Sequence, residues 1–243
     1  MIPLSNLIAR PYVIFDLFHT LSTLVHAGVG GPNLFELLGV SRERVNDALF
    51  EGSEARLTGR ISDPAEVIAD IARRCGVNPT REQCASAAAR RGRRFAESLR
   101  NVSPHILSTL DCLRNAGRRL ALISNADVTE ASGWEESPLA SRFDVALLSY
   151  RVGLAKPDPE IYHLCMRQLG ATPDECVFVG DGGSNEFEGA RRAGIPSICT
   201  TEFIRDIFPE RVEAHSAQAD CVVTALSDLC TAVRRRPSRA SPA

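Results

Sequence analysis

The sequence predicts an α/β protein: a doubly wound parallel sheet with a small helical domain inserted after its first strand. Three observations carry this reading. Several runs of four to six residues are almost continuously apolar, as strands buried on both faces of a parallel sheet must be. Helix-like segments of crossover length lie between the later runs, giving strand, helix, strand in repetition. The first run and the second are instead separated by about a hundred residues with helical spacing, enough for a second unit.

Taken in order, the strand runs are residues 12–16 (YVIFD), 120–124 (LALIS), 145–149 (VALLS), 176–181 (CVFVGD) and 195–200 (IPSICT), with a weaker sixth at 219–224 (ADCVVT). A crossover helix is expected over 158–169, opened by Pro157 and Pro159 and stopped by Gly170, and another over 186–193, stopped by Gly194. In the long gap, segments 41–57, 63–74 and 81–99 carry helical apolar spacing, with capping signals at Ser41, Asp63-Pro64 and Thr80. The expected organisation is a core of residues 1–20 and 102–233, a helical cap of 21–101 and a disordered tail of 234–243. A loop that leaves the carboxyl end of a strand sits over the ligand crevice of an open sheet, so the insert should cap that crevice. The glycine-rich stretch 27–32 is its natural hinge.

Composition narrows the class. With 243 residues, 44% hydrophobic and 24% charged, the chain is ordinary for a globular protein and unlike collagen-like or disordered chains. The net charge of −2 leaves no chain-wide footprint for nucleic acid. Only one lysine occurs, Lys156, so lysine chemistry has a single candidate. The eight cysteines show no C-x-x-C spacing, which fits a reduced, cytoplasmic chain. No apolar run approaches the roughly 18 residues of a membrane span, and no signal-peptide pattern opens the chain, so neither secretion nor membrane contact is expected.

Most of the buried strands lead into polar groups: Asp16 after the first, Ser124-Asn125 after the second, Gly180-Asp181 after the fourth, with Lys156 in the loop following the third. These groups should converge at the sheet's carboxyl edge. The segments 15–21 (FDLFHTL), Ser124-Asn125, 153–159 (GLAKPDP) and 180–186 (GDGGSNE), followed by Gly189-Ala190, together resemble the four ordered motifs of the haloacid dehalogenase-like (HAD) superfamily, whose core is Rossmann-like. The resemblance implies a hydrolase in which Asp16 is the nucleophile and forms a covalent aspartyl intermediate. It implies that Ser124 binds the transferring group and that Lys156 supports Asp16 and neutralises developing charge. The implied Mg²⁺ set is Asp16, Phe18, Asp181 and Glu186, the last position alternatively replaced by Asn185. Thr20 and Asn125 fall among the implied substrate-binding positions, with Phe18 beside them. The implied substrate is a small phosphorylated metabolite.

The first motif departs from the family pattern. Phosphatases of the superfamily carry a second Asp two residues after the nucleophile as general acid and base, and this chain has Phe18 there. Losing such help typically slows a reaction about 10²–10⁴-fold, least for good leaving groups. His19, whose imidazole type titrates near neutrality, is the candidate replacement and a catalytic candidate for that reason. Two alternatives stay open: a metal-independent 2-haloacid dehalogenase, whose members carry an aromatic residue at that position, and a non-catalytic binder of a phosphorylated ligand.

Outside the motifs, Arg60 at the end of a cap helix is a candidate substrate-reading residue. The arginine run at 90–94 reads as a solvated helix face, since no aromatics interleave it. His26, His105, His163 and His215 have no partner spacing and read as structural or exposed, and Trp134 and Tyr150 as packing residues. Oligomeric state is open.

Overall fold

The protein is described from a computed structural model covering residues 2–26 and 30–234. Six parallel strands form one sheet: β1 (Tyr12–Phe15), β2 (Arg119–Ser124), β3 (Val145–Leu148), β4 (Cys176–Gly180), β5 (Ser197–Thr200) and β6 (Cys221–Val223), ordered β3-β2-β1-β4-β5-β6. The weak sixth run is therefore a strand, at the sheet's edge.

Alternate side chains explain the continuous apolar runs. Val13, Phe15, Leu120, Leu122, Val177 and Val179 pack on one face in a cluster with Ile106, Leu110 and Leu229, from the helices Pro104–Asn115 and Ser227–Arg234. Ile14, Ala121, Ile123 and Phe178 pack on the other with Ile161, Cys165 and Phe187, from the helices Pro159–Leu169 and Glu186–Arg192. With both faces covered, the middle positions of the central strands β1, β2 and β4 are apolar, and polar side chains follow at their carboxyl ends. The strand order reverses between β1 and β4, so the switch point where such sheets bind ligands lies where β1 ends.

The segment between β1 and the helix Pro104–Asn115 holds helices Leu34–Leu38, Arg42–Phe50, Glu54–Leu57, Pro64–Arg74 and Arg81–Arg100. The expected caps form: Ser41 Oγ accepts from Arg44 N–H (3.2 Å), Asp63 Oδ1 from Ala65 N–H (2.9 Å), and Thr80 Oγ1 from Gln83 N–H (3.2 Å). The single helix expected over 41–57 is instead two, because the backbone turns extended at Glu51 and left-handed at Gly52 (φ 58°). These helices have their own apolar cluster, including Val45, Val67, Ile68, Ile71 and Cys84, whereas Leu21 and Leu99 pack in the cluster of the sheet.

A buried ion pair fastens this helical unit. Arg56, 2% exposed, pairs with Asp70 and also donates to the Ala48 and Leu49 carbonyls (3.1 and 2.8 Å). Burial works against the Asp70 carboxylate, but hydrogen bonds from Arg74 and Arg56 outweigh it and hold the carboxyl below its usual range. Its stabilisation is therefore complete above the ordinary carboxylate pKa and is lost only as pH falls through the depressed folded value. Arg56→Ala removes the buried partner of that carboxylate, leaving it the more exposed Arg74 and Arg73, and should lower stability by about 3–5 kcal/mol in urea unfolding. A loss under about 1 kcal/mol would mean that Arg74 alone suffices.

Three expectations are corrected by the packing. Cys112 and Cys230 form a disulfide (Cα–Cα 6.0 Å) between the helices Pro104–Asn115 and Ser227–Arg234, so not all the thiols are free; helices 118 residues apart in sequence meet only once folded. Arg91 is buried, not solvated: Nη1 donates to Thr129 Oγ1 (2.6 Å) and Nη2 to Glu130 Oε1 (2.8 Å), tying the helix Arg81–Arg100 to the loop after β2. Its neighbour Arg90 binds the Pro32 carbonyl through Nε (2.8 Å). Arg234, assigned to the tail, closes the last helix; residues 235–243, and 27–29 of the hinge stretch, lie outside the described residues. Among the described residues no helix is long and apolar enough to cross a membrane.

Candidate active site

Asp16 immediately follows β1, and its backbone N–H donates to the Val179 carbonyl of β4 (2.9 Å), which extends the sheet's bonding to this residue. Its side chain is thereby set at the switch point, 6% exposed. Oδ1 pairs with Lys156 Nζ, and Oδ2 accepts from the Thr20 hydroxyl (3.2 Å). Lys156 also donates to Glu186 Oε2 (2.6 Å), so a single ammonium bridges two carboxylates. Asn125 holds the lysine's loop by two bonds: its Nδ2 donates to the Lys156 carbonyl (2.8 Å) and its Oδ1 accepts from the Lys156 N–H (2.8 Å). In this arrangement Asn125 positions Lys156 while lining the same cavity. Ser124 Oγ is fully buried and has no hydrogen-bond partner, and Ser124 is not among the residues that line the cavity.

The turn after β4 brings the remaining acids in. Asp181 Oδ1 accepts from Gly183 N–H (3.0 Å), and Glu186 Oε1 from Gly182 N–H (2.8 Å). A Cβ at Gly180 would strike Glu186 Oε1, so glycine here leaves the room in which the Glu186 carboxylate sits. Carboxylate oxygens of Asp16, Asp181 and Glu186 all lie within 4.8 Å of one another, and all three residues are buried. Three carboxylates thus face one ammonium. Burial pushes the Glu186 carboxyl up to about 8, with Lys156 opposing and the charges of Asp16 and Asp181 adding to the rise. Burial, then the Asp16 charge, likewise raises Asp181. Burial opposes the Lys156 charge, but Asp16 and Glu186 outweigh it and push its pKa up, keeping it an ammonium.

An all-oxygen donor set with excess negative charge suits a hard divalent cation, and the orientation of Asp181 and Glu186 beside Asp16 fits one. Phe18, also among the expected metal residues, has no ligating atom in its side chain; only its backbone carbonyl is available. Its ring lines the cavity and packs edge-on against Phe95 of the helix Arg81–Arg100, with centroids 5.2 Å apart.

The cavity around these groups measures ≈ 440 Å³. His19 lines it, held at φ 60° with its ring edge-on to Phe208 (5.4 Å) and with Nδ1 buried and unpartnered. Arg60 does not reach it: the guanidinium pairs with Glu54 (3.0 Å) at an exposed site outside the lining. His215, read from sequence as structural or exposed, is in the lining; its Nδ1–H donates to the Asp181 carbonyl (2.8 Å), and its ring occupies the space a side chain at Gly182 would need. Phe50, Phe208 and Arg211 line the cavity as well. They come from a cap helix and from the segment after β5, and no local pattern around them signals the site.

A family model for haloacid dehalogenase-like hydrolases matches residues 13–194. The phosphoserine phosphatase of Thermus thermophilus is 32% identical over 98 residues, 40% of this chain and 39% of that protein. The phosphoglycolate phosphatase of Salmonella paratyphi A is 35% identical over 99 residues, again 40% and 39%. The match thus spans about two fifths of the length of these curated relatives. Among solved structures, L-2-haloacid dehalogenase from Xanthobacter autotrophicus with chloropropionic acid covalently bound superposes with a TM-score of 0.65 at 21% identity, covering 94% of this chain and 100% of that one. A HAD family enzyme of Bacteroides thetaiotaomicron in complex with magnesium and inorganic phosphate gives 0.56 at 20% identity, covering 79% and 94%. At such identities these structures speak for the shared fold.

Proposed function

The chain belongs to the haloacid dehalogenase-like hydrolases, and on that footing we propose that it is a Mg²⁺-dependent phosphohydrolase acting on a small phosphorylated metabolite through an aspartyl-phosphate intermediate. The observation that carries this reading is the buried cluster of Asp16, Asp181 and Glu186, with Lys156 bridging Asp16 and Glu186. A metal-free dehalogenase has no use for the buried Asp181 carboxylate, which repels a substrate carboxylate. A site for a divalent cation and a phosphoryl dianion does.

The mechanism follows from the placement of these side chains. An Asp16 carboxylate oxygen attacks phosphorus, the new O–P bond forms, and the bond to the leaving oxygen breaks with its electron pair on that oxygen. Lys156 holds the Asp16 carboxylate in place through its ion pair and offsets negative charge gathering on the phosphoryl oxygens. The unpartnered Ser124 hydroxyl, one residue before Asn125 of the lining, would donate to one of those oxygens when substrate is bound. Water then attacks phosphorus, releasing inorganic phosphate and restoring the carboxylate. Asp16, Asp181, Glu186 and the Phe18 carbonyl would hold Mg²⁺, which when bound supplies electrostatic stabilisation of the phosphoryl group.

The test measures phosphate release with Mg²⁺ and with chelator, beside halide release from 2-chloropropionate. Phosphate release that needs Mg²⁺ and drops about 100-fold or more in Asp181→Ala is expected. The variant should stay folded, since removing one of three clustered carboxylates relieves like-charge repulsion. Metal-independent halide release surviving in Asp181→Ala would replace the proposal with the dehalogenase. A rise in melting temperature with phosphate but no product from any phosphoester would point to a binder.

A further inference from the structure

In-line displacement at phosphorus sets the leaving oxygen opposite the attacking one. With Asp16 at the carboxyl edge of the sheet, that direction runs toward the cap. There the lining changes character: Phe18 and Phe208 stand on the core side, and Phe50 reaches over from the end of the cap helix Arg42–Phe50. Two of the three rings are held in place, Phe18 by Phe95 (5.2 Å) and Phe208 by the Arg211 guanidinium over its ring (4.5 Å). Phe50 is 66% exposed, a large apolar side chain at the cavity with most of its surface uncovered. Phe208 also borders a second cavity of ≈ 440 Å³ under the cap, whose wall mixes Leu34, Phe35 and Leu49 with Arg42, Arg90 and Arg94, so some apolar surface continues beyond the mouth.

A second observation is independent of the rings. The carboxylic groups in the lining are Asp16, Asp181 and Glu186, all committed to the cluster around Lys156. No further carboxyl group lines the cavity among the described residues, and Phe18 stands where one would be useful. A leaving group that departs without a proton must be a weak base. Phenols, with a pKa of about 10, are far better in this respect than alkanols, which lie near water at about 15.7.

Resting on the phosphohydrolase reading above, we infer that the substrate is a phosphate monoester of an aromatic alcohol, its ring received among Phe18, Phe50 and Phe208. Asp16 displaces the aryl oxygen, the P–O(aryl) bond breaks with its electron pair on that oxygen, and the aryloxide leaves beside the Arg211 guanidinium and takes its proton from water. Hydrolysis of the aspartyl phosphate then returns the enzyme.

Four probes separate ring recognition from leaving-group acidity, all assayed with the full chain and Mg²⁺, with Asp16→Asn as background: phenyl phosphate, acetyl phosphate, hexyl phosphate and glycerol phosphate. Phenyl phosphate should exceed hexyl phosphate in kcat/KM by about 10²–10⁴-fold, although both are apolar. It should also exceed acetyl phosphate, which leaves easily but has no ring, through a lower KM. Phe50→Ala, at an exposed position, should raise KM for phenyl phosphate about fivefold more than for acetyl phosphate. Acetyl phosphate matching phenyl phosphate, with Phe50→Ala affecting both alike, overturns ring recognition. Hexyl phosphate within tenfold of phenyl phosphate, or a phenyl-to-hexyl ratio that widens tenfold in His19→Ala, shows that a protein group protonates the leaving oxygen and overturns the leaving-group half. Failure of the phosphohydrolase reading looks different: no Asp16-dependent phosphate from any of the four probes.

Discussion

Asp16→Asn should lower Mg²⁺-dependent phosphate release by about 10⁴-fold or more, the scale on which loss of a covalent nucleophile is felt. The amide is nearly the same size as the carboxylate and can still accept from Thr20, whose hydroxyl lies 3.2 Å from Oδ2. Lys156 retains its bond to Glu186 (2.6 Å), so the substitution leaves no buried cation unpaired. The fold is therefore expected to survive with an unchanged or raised melting temperature in chelator. The decisive readout is a pair of measurements: steady-state turnover, and acid-quenched labelling of the protein from a radioactive phosphoester, which wild type should show and the variant should not. Turnover within tenfold of wild type would remove Asp16 as nucleophile and with it the covalent mechanism.

Lys156→Met carries the second large effect, and it acts on both activity and stability. Without the ammonium, Asp16 loses its ion-pair partner and the site loses one of the positive charges that offset phosphoryl charge, so turnover should fall about 10²–10³-fold. The same change leaves Asp16, Asp181 and Glu186 buried within 4.8 Å of one another with no bridging cation, which should cost about 3–5 kcal/mol of stability. The pH dependence has a definite sign. Glu186 in the wild-type fold binds its proton more tightly than in the unfolded chain, since its pKa is raised from 4.5 to about 8. Between those values the folded state carries more protons, so stability declines as pH rises through that window. Lys156→Met removes the group that opposes this rise and should carry the decline to higher pH. Urea midpoints at acid and alkaline pH check it, and Mg²⁺ should recover part of the loss by replacing the missing positive charge. A variant as stable as wild type at alkaline pH would mean that the carboxylates are not ionised together.

How much of this was legible in the chain depends on the range of the forces involved. The six strands lie within one to two residues of the runs read from sequence, because burial on both faces writes itself into consecutive positions. Caps at Ser41, Asp63 and Thr80 were equally readable, since a capping side chain and its backbone partner are two or three residues apart. The helix Pro104–Asn115, in contrast, carries no assignment in the sequence reading, and the break at Gly52 inside the 41–57 segment was invisible to spacing alone.

The site divides along the same line. Asp16, Ser124, Asn125, Lys156, Asp181 and Glu186 stand at or just beyond the carboxyl ends of strands, and parallel topology alone brings such positions together. Sequence therefore determined the sheet, the order of the motif residues along it and the membership in a hydrolase family. Tertiary structure alone decided that Asn125 clamps Lys156, that Arg91 is buried against Thr129 and Glu130, that Cys112 meets Cys230, and that Phe50, Phe208, Arg211 and His215 wall the cavity while Arg60 stays outside it. Each of those contacts joins segments distant along the chain, so it depends on how whole helices pack, and no periodicity of neighbouring residues encodes that.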